Sequence, residues 1–156
     1  MRLFRIARSG AGSVERAFGG LGASKFNHRW TWGQPGMRAV YCSDSLALAC
    51  LECLVHIHPL PRHFAPGFYY TIDIPERHLE RPALTVLPDG WRNSVPAGKV
   101  RSFGTKFIAE NRAVALVVPS AILPVGLNAV VNPQHPHFNP SWIEGPHPFQ
   151  FDERLE

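Results

Sequence analysis

One carboxylate stands inside an otherwise apolar segment of this chain. Between positions 46 and 55 every side chain other than Glu52 is apolar or a thiol, a pattern that predicts a helix buried on nearly all sides. An ionised carboxylate is strongly disfavoured there unless it reaches water, meets a hydrogen-bond donor or lines a cavity. The plainer alternative is a narrow exposed strip that carries Glu52 beside His56, one helical turn away. In a cavity, Glu52 could stabilise a developing positive charge.

Further polar side chains stand at the ends of apolar segments or in loops, where sites are commonly built. They are Arg29, Tyr41, Ser120 and Asn132. An arginine offers a planar donor fork for phosphate, a tyrosine offers a ring face for a flat heterocycle, and a carboxylate can stabilise an oxocarbenium ion. Together these groups suit a nucleotide whose glycosidic bond is broken. Singly, Ser120 is better interpreted as a cap and Asn132 as an Asx turn, whereas Arg29 and Tyr41 remain open between site and structure.

Length and composition predict one domain over residues 1–156. The chain has 45% hydrophobic residues and a net charge of +4, enough apolar material for a core. We expect a cytoplasmic protein without a membrane segment, because no apolar run approaches the roughly 20 residues that span a bilayer. The positive charge would attract phosphate. The arginines are scattered, so a non-catalytic nucleic-acid-binding module is the weaker alternative.

The cysteines and histidines do not predict a metal site. The chain has three cysteines, which are Cys42, Cys50 and Cys53. Cys50 and Cys53 have the spacing of a redox or metal-binding pair, but the chain has no second such pair. We interpret all three cysteines as small core residues. His56 with His58, and His135 with His137, lie beside prolines without the spacing of helical metal ligands. We therefore expect no metal and no bound cofactor.

The apolar and β-branched segments predict more strands than helices. The predicted strands are 3–6, 39–42, 68–74, 113–118, 128–131 and an edge strand at 148–151; the predicted helices are 46–55, capped by Ser43 or Ser45, and 99–111. Residues 9–24 are predicted to be loop with about one turn of helix, and residues 84–96 to be a connection. Strands and helices do not alternate regularly, which favours an α+β fold.

Several short motifs follow one another along the chain at suitable separations. They are His28-Arg29-Trp30, Pro35-Gly36, and the segments 39–43, 47–56, 118–121, 128–136 and 148–155. This set closely resembles the RES-domain toxins, which are partners of Xre-type antitoxins in bacterial type II toxin–antitoxin pairs. The resemblance covers residues 5–155. The chain departs from the family pattern at His28 and Thr31, where glycine and asparagine are usual.

The resemblance implies a fold, an activity and a set of site residues. The fold would be similar to that of ADP-ribosyltransferase toxins, a single compact domain with short strands in a split, mostly antiparallel sheet. The substrate would be NAD+, with the nicotinamide–ribose bond cleaved by hydrolysis or by phosphorolysis with inorganic phosphate, or with ADP-ribose transferred to a protein. The family's functional arginine, tyrosine, glutamate and serine fall on Arg29, Tyr41, Glu52 and Ser120, with Asn132 in support.

The resemblance also implies a protein partner. A helix-turn-helix antitoxin of the Xre type would plug the cleft and form a hetero-oligomer with the toxin. No direct contact of this chain with nucleic acid and no membrane association are expected.

Overall fold

Seven strands form one sheet in the computed structural model, which describes residues 1–56 and 65–155. The strands are β1 (Arg2–Arg8), β2 (Val40–Ser43), β3 (Gly67–Asp73), β4 (Leu79–Glu80), β5 (Ala115–Pro119), β6 (Leu127–Val131) and β7 (Ile143–Phe149). The α-helices of the described residues are α1 (Val14–Phe18), α2 (Leu46–Leu54) and α3 (Gly98–Glu110). Short 3-10 turns lie at Ser9–Ala11, Leu21–Ser24, Glu76–His78, Leu84–Val86, Pro140–Trp142 and Glu153–Leu155.

The sheet is mixed but mostly antiparallel, with the order β4-β5-β6-β2-β1-β3-β7. Only the short β4 pairs in parallel, with β5. The β1 and β3 strands pair along their whole length, but β1 meets β2 at a single pair, Phe4 with Ser43. This narrow junction splits the sheet into β4-β5-β6-β2 and β1-β3-β7. The predicted α+β class with a split, mostly antiparallel sheet is confirmed.

Each face of the sheet has its own apolar core because successive side chains of a strand point to opposite faces. Ala115, Ala129 and Val131 belong to the core that includes Phe18 of α1. Their neighbours along the strands belong to the second core, which contains Leu116, Val118, Val130 and, from α3, Val100 and Phe107. The predicted central strand 113–118 is thereby buried on both faces. α3 therefore covers the face on which Tyr41 lies.

α3 approaches the loop before β2 very closely at Gly104. A Cβ atom at this position would overlap the carbonyl oxygen and carbon of Trp30. Trp30 is itself fully buried between Trp91 and Phe103. A residue without a side chain is required here because the obstacle is backbone, which cannot rotate away. This contact fixes the loop that carries His28 and Arg29.

Replacing Gly104 by alanine should destabilise the protein. Overlap of the new methyl group with backbone costs about 1–3 kcal/mol, which outweighs the roughly 1 kcal/mol that alanine gains over glycine in a helix. The measurement is the urea midpoint of Gly104→Ala beside Gly22→Ala, where a Cβ has nothing within 4 Å. Equal midpoints for both variants would contradict the close approach.

The structure corrects several expectations about the elements. α2 is not buried on nearly all sides: Leu48 and Ala49 are its buried residues, while Ala47 is exposed. The reason is that α2 packs with one side against β1 and β2, and an apolar composition does not say what covers the other side. Residues 9–24 hold more helix than predicted, β4 was not predicted, and β7 begins at Ile143. Pro59 and Pro61, which the sequence predicts to end this helix, lie outside the described residues, as does His58.

Two smaller predictions concern helix α2 and membranes. Ser45 caps α2, its hydroxyl accepting a bond from the backbone N–H of Leu48 at 3.2 Å. In the described parts of the chain, no helix has the length and apolarity that crossing a membrane requires.

Candidate functional site

Glu52 lies on the side of α2 that faces the sheet, four residues after the buried Leu48. Its Oε1 accepts a hydrogen bond from the side-chain amide of Asn128, and the hydroxyl of Ser120 lies 3.5 Å away. The side chain is half-buried. Among the described residues no ion pair involves this carboxylate. Within this part of the chain, neutral donors therefore hold Glu52, and no ion pair cancels its charge.

Asn128 is the residue of this site that the sequence analysis missed. It pairs across the sheet with Ser43, whose hydroxyl donates to Asn128 Oδ1 at 2.7 Å. That bond orients the amide so that its nitrogen points to Glu52. The available signal was an amide at the start of an otherwise apolar strand, a position where asparagine is disfavoured.

Ser120 closes the β5–β6 connection and also serves Glu52. Its backbone N–H donates to Gly126 at 2.9 Å. Its hydroxyl oxygen accepts bonds from the backbone N–H groups of Ile122 and Leu123 at 3.1 and 3.2 Å. With that oxygen occupied as an acceptor, the hydroxyl proton is directed to Glu52. Ser120 is thus both the turn cap of the plain interpretation and a contact of Glu52.

Tyr41 shares a sheet face with Ser43, since the two lie two positions apart along β2 with one residue between them. Its hydroxyl is 2.8 Å from the hydroxyl of the buried Thr31, and its ring lies 4.9 Å from the His28 ring at 30°. Burial raises the pKa of the Tyr41 hydroxyl and lowers the pKa of the His28 imidazole. Both rings are therefore neutral near pH 7.

Arg29 ties the loop before β2 to the segment before α3. Its Nη1 donates to the carbonyls of Trp91 and Asn93 at 2.7 and 2.8 Å. Burial lowers the pKa of Arg29, while the charge of Glu52 raises it and that of Arg101 lowers it. A guanidinium remains charged despite such shifts. Arg29 is within electrostatic reach of Glu52, but much of its donor capacity serves the backbone.

Asn132 lies at the other end of β6. Asn132 lies four positions after Asn128, so the two backbones are about 13 Å apart along the extended strand. Its amide nitrogen donates to Asn111 Oδ1 at 2.8 Å, and its Oδ1 accepts from the N–H of Gln134 at 3.0 Å. The structure therefore does not bring Asn132 into contact with Glu52. Its geometry is that of the Asx turn. Direct contact of Asn132 with substrate stays a prediction.

No cluster of three or more histidine, cysteine or carboxylate residues suited to a metal ion occurs within 1–56 and 65–155. His135 shows why: its Nε2 lies 3.2 Å from the Asn111 carbonyl, and its Nδ1 accepts a bond from the N–H of His137 at 3.1 Å. Cys42 is buried, and burial raises the pKa of its thiol to about 12. Cys50 and Cys53 are partly exposed rather than core residues.

The sequence matches a known family over nearly its whole length. The family model described as the RES domain matches residues 2–152. The chain belongs to the RES domain family. The site formed by Glu52, Ser120, Asn128 and Tyr41, with Arg29 beside it, therefore lies within a RES domain.

Named relatives agree with this assignment. This chain is 37% identical over 142 residues to Toxin Res of Photorhabdus laumondii subsp. laumondii, and the match covers 89% of this chain and 86% of that protein. It is 37% identical over 113 residues to the Prs ADP-ribosylating toxin of a Sphingobium species, covering 67% and 66%. It is 30% identical over 139 residues to Toxin Res of Yersinia enterocolitica, covering 88% and 89%. The predicted family resemblance is confirmed.

The contact between Asn128 and Glu52 predicts energetic coupling in this RES domain. Asn128→Ala, Glu52→Ala and the double variant should give a coupling energy of about 0.5–3 kcal/mol in urea unfolding, because residues in one hydrogen-bond network are not independent. The matched control is Asn132→Ala with Glu52→Ala. Since Asn132 is distant from Glu52, that pair should be additive within about 0.5 kcal/mol. Additivity in both cycles would contradict the network.

Proposed function

We propose that this protein is the toxin of a type II toxin–antitoxin pair and cleaves the nicotinamide–ribose bond of NAD+. The observation that carries the proposal is the half-buried Glu52 carboxylate, which among the described residues is held by an amide and a hydroxyl and forms no ion pair. Such a carboxylate keeps its negative charge available for a developing cation. Membership of the RES domain family and the names of the relatives support the same conclusion.

The bond-breaking step needs little proton transfer. The nicotinamide ring nitrogen is cationic in NAD+; the electron pair of the C1′–N bond moves to this nitrogen, and neutral nicotinamide leaves. Positive charge passes to the ribose as an oxocarbenium-like ion, which Glu52 stabilises. The raised pKa of Tyr41 and the lowered pKa of His28 suit groups that shape the site rather than donate protons. Their rings offer apolar faces for nicotinamide.

Capture of the ribosyl cation completes the reaction. Water adds its oxygen to C1′ and releases a proton, which gives ADP-ribose; inorganic phosphate adds instead in phosphorolysis, giving the 1-phosphate of ADP-ribose. Either route depletes NAD+. Arg29 would support the anionic part of the substrate, with the guanidinium donors not used on the backbone carbonyls.

A second candidate function is protein ADP-ribosylation. The relative named Prs ADP-ribosylating toxin specifically favours it. The same Glu52 chemistry would form the cation, and a nucleophilic side chain of a target protein would capture it. The two functions differ in the final location of the ADP-ribose group, which is released into solution in the first and attached to a macromolecule in the second.

The proposed partner is an Xre-type helix-turn-helix antitoxin. The basis is membership of the RES domain family and the name Toxin Res that several relatives carry. The antitoxin would form a hetero-oligomer with this chain and block access to Glu52, which keeps the enzyme inactive until the partner is lost.

Glu52→Gln should lower nicotinamide release from NAD+ by roughly 100-fold or more, because loss of one preorganised electrostatic group at a reacting centre has this magnitude. Free nicotinamide is measured with and without inorganic phosphate, and circular dichroism checks the fold. The control is Glu144→Gln, which removes an exposed carboxylate on β7. Release that requires phosphate indicates phosphorolysis.

The competing outcomes are distinct. Label from ADP-ribose on a macromolecule, appearing only when cell extract is present, would support the transferase. Undiminished turnover by folded Glu52→Gln would refute the assigned role of Glu52. Salt-sensitive nucleic-acid binding without any consumption of NAD+ would favour the non-catalytic alternative.

A further inference from the structure

The segment before α3 reaches across from Arg29 to the turn that follows Ser120. Trp91 stacks on the buried Trp30 with ring centroids 6.4 Å apart and 24° between the planes. The carbonyls of Trp91 and Asn93 both accept from Arg29. The residue between these two carbonyls is Arg92, whose backbone is therefore held on both sides.

The Arg92 side chain extends from this anchored backbone toward Ser120. Its Nη2 donates to the carbonyl of Leu123 at 3.3 Å, and its guanidinium lies 5.2 Å from the centre of the Trp91 ring. The N–H of Leu123 in turn donates to Ser120, which contacts Glu52. Arg92 is exposed and makes one long hydrogen bond to the backbone. It is thus fixed near the Glu52 network with most of its donors available.

Three arginines lie in this region without an ion pair to any carboxylate of the described residues. Arg29, Arg92 and Arg101 come from the loop before β2, the segment before α3 and α3 itself. Arg101 donates to the His28 carbonyl at 3.2 Å and lies over the Trp32 ring. Within the described residues none of these three arginines forms an ion pair with a carboxylate. An anion would find uncompensated charge and planar donors here.

We propose that Arg92 binds the pyrophosphate of the dinucleotide substrate together with the Arg29 donors that the backbone leaves free, and that Arg29 also fixes the segment that presents Arg92. This inference rests on the proposed function and extends it. Nη1 of Arg29 is already committed to two carbonyls, whereas Arg92 has exposed donors and a rigid backbone. A guanidinium can bind two phosphate oxygens at once, and preorganisation by the Trp91 ring reduces the entropy lost on binding.

The test compares three substrates that lose the phosphates stepwise: NAD+, nicotinamide mononucleotide and nicotinamide riboside. Arg92→Gln should raise KM for NAD+ roughly 10- to 100-fold, as expected for loss of a hydrogen bond to a charged group, with kcat changed by less than about twofold. It should leave kcat/KM for nicotinamide riboside unchanged. Arg92→Lys should restore part of the loss. Arg77→Gln, at an exposed arginine of the Glu76–His78 turn, is the control.

Two kinetic results would overturn the proposal. An unchanged KM for NAD+ in Arg92→Gln would show that Arg92 does not contact the substrate. An equal loss with nicotinamide riboside would show that Arg92 acts through the structure of the loop, because this substrate has no phosphate.

Binding of ADP-ribose separates this proposal from the proposed reaction. ADP-ribose contains the pyrophosphate but no nicotinamide. If the wild-type protein releases no nicotinamide, the reaction fails, yet calorimetry still decides Arg92: ADP-ribose should bind the wild type at least about tenfold more tightly than Arg92→Gln, while adenosine should not discriminate. Equal ADP-ribose affinity of the two proteins, or no binding to either, would overturn the role of Arg92.

Discussion

The candidate site depends on keeping one carboxylate, that of Glu52, in a half-buried position where it forms no ion pair with any described residue. Removing a charge from water is costly unless hydrogen bonds replace the lost solvation. Asn128 and Ser120 provide these bonds, and each is itself constrained, Asn128 by Ser43 and Ser120 by the N–H groups of its own turn. The donors therefore face Glu52 before any ligand arrives, which is what electrostatic stabilisation of a transition state requires.

This requirement accounts for the architecture around the site. The two donors come from β6 and from the turn after β5, and Ser43, which orients Asn128, comes from β2; these three neighbouring strands lie in one half of the split sheet. α2 packs against β1 and β2 and brings Glu52 to the donors. α3 covers the same face further along the sheet, and its close approach at Gly104 fixes the loop that carries His28 and Arg29. Arg29 then anchors the segment before α3. The loop before β2 is thus held by α3, and the segment before α3 is held by that loop.

The sequence predicted the elements with a strong periodic or apolar signal. It also predicted Glu52 and Ser120 as candidate site residues, and the structure places these two side chains beside each other. It did not predict which asparagine of β6 meets Glu52. Asn128 and Asn132 both lie at strand ends, and the choice depends on the register with β2 and on where α2 packs, which are long-range contacts. The prediction that α2 is buried on nearly all sides was wrong for a related reason, since apolar composition does not reveal whether anything covers a helix. Strand β4 has two residues, too few for any sequence pattern.

Charges of opposite sign lie near one another in the described region without forming an ion pair. The carboxylate of Glu52 is held by neutral donors, and the nearby arginines are held by backbone carbonyls and aromatic rings. Had Glu52 paired directly with Arg29, each charge would have cancelled the other. Their separation leaves negative charge where a ribosyl cation would form and positive charge where a pyrophosphate would lie. NAD+ carries its charges in this order, with cationic nicotinamide at one end and anionic phosphates further along, so under the proposed function this arrangement would favour one orientation of the substrate.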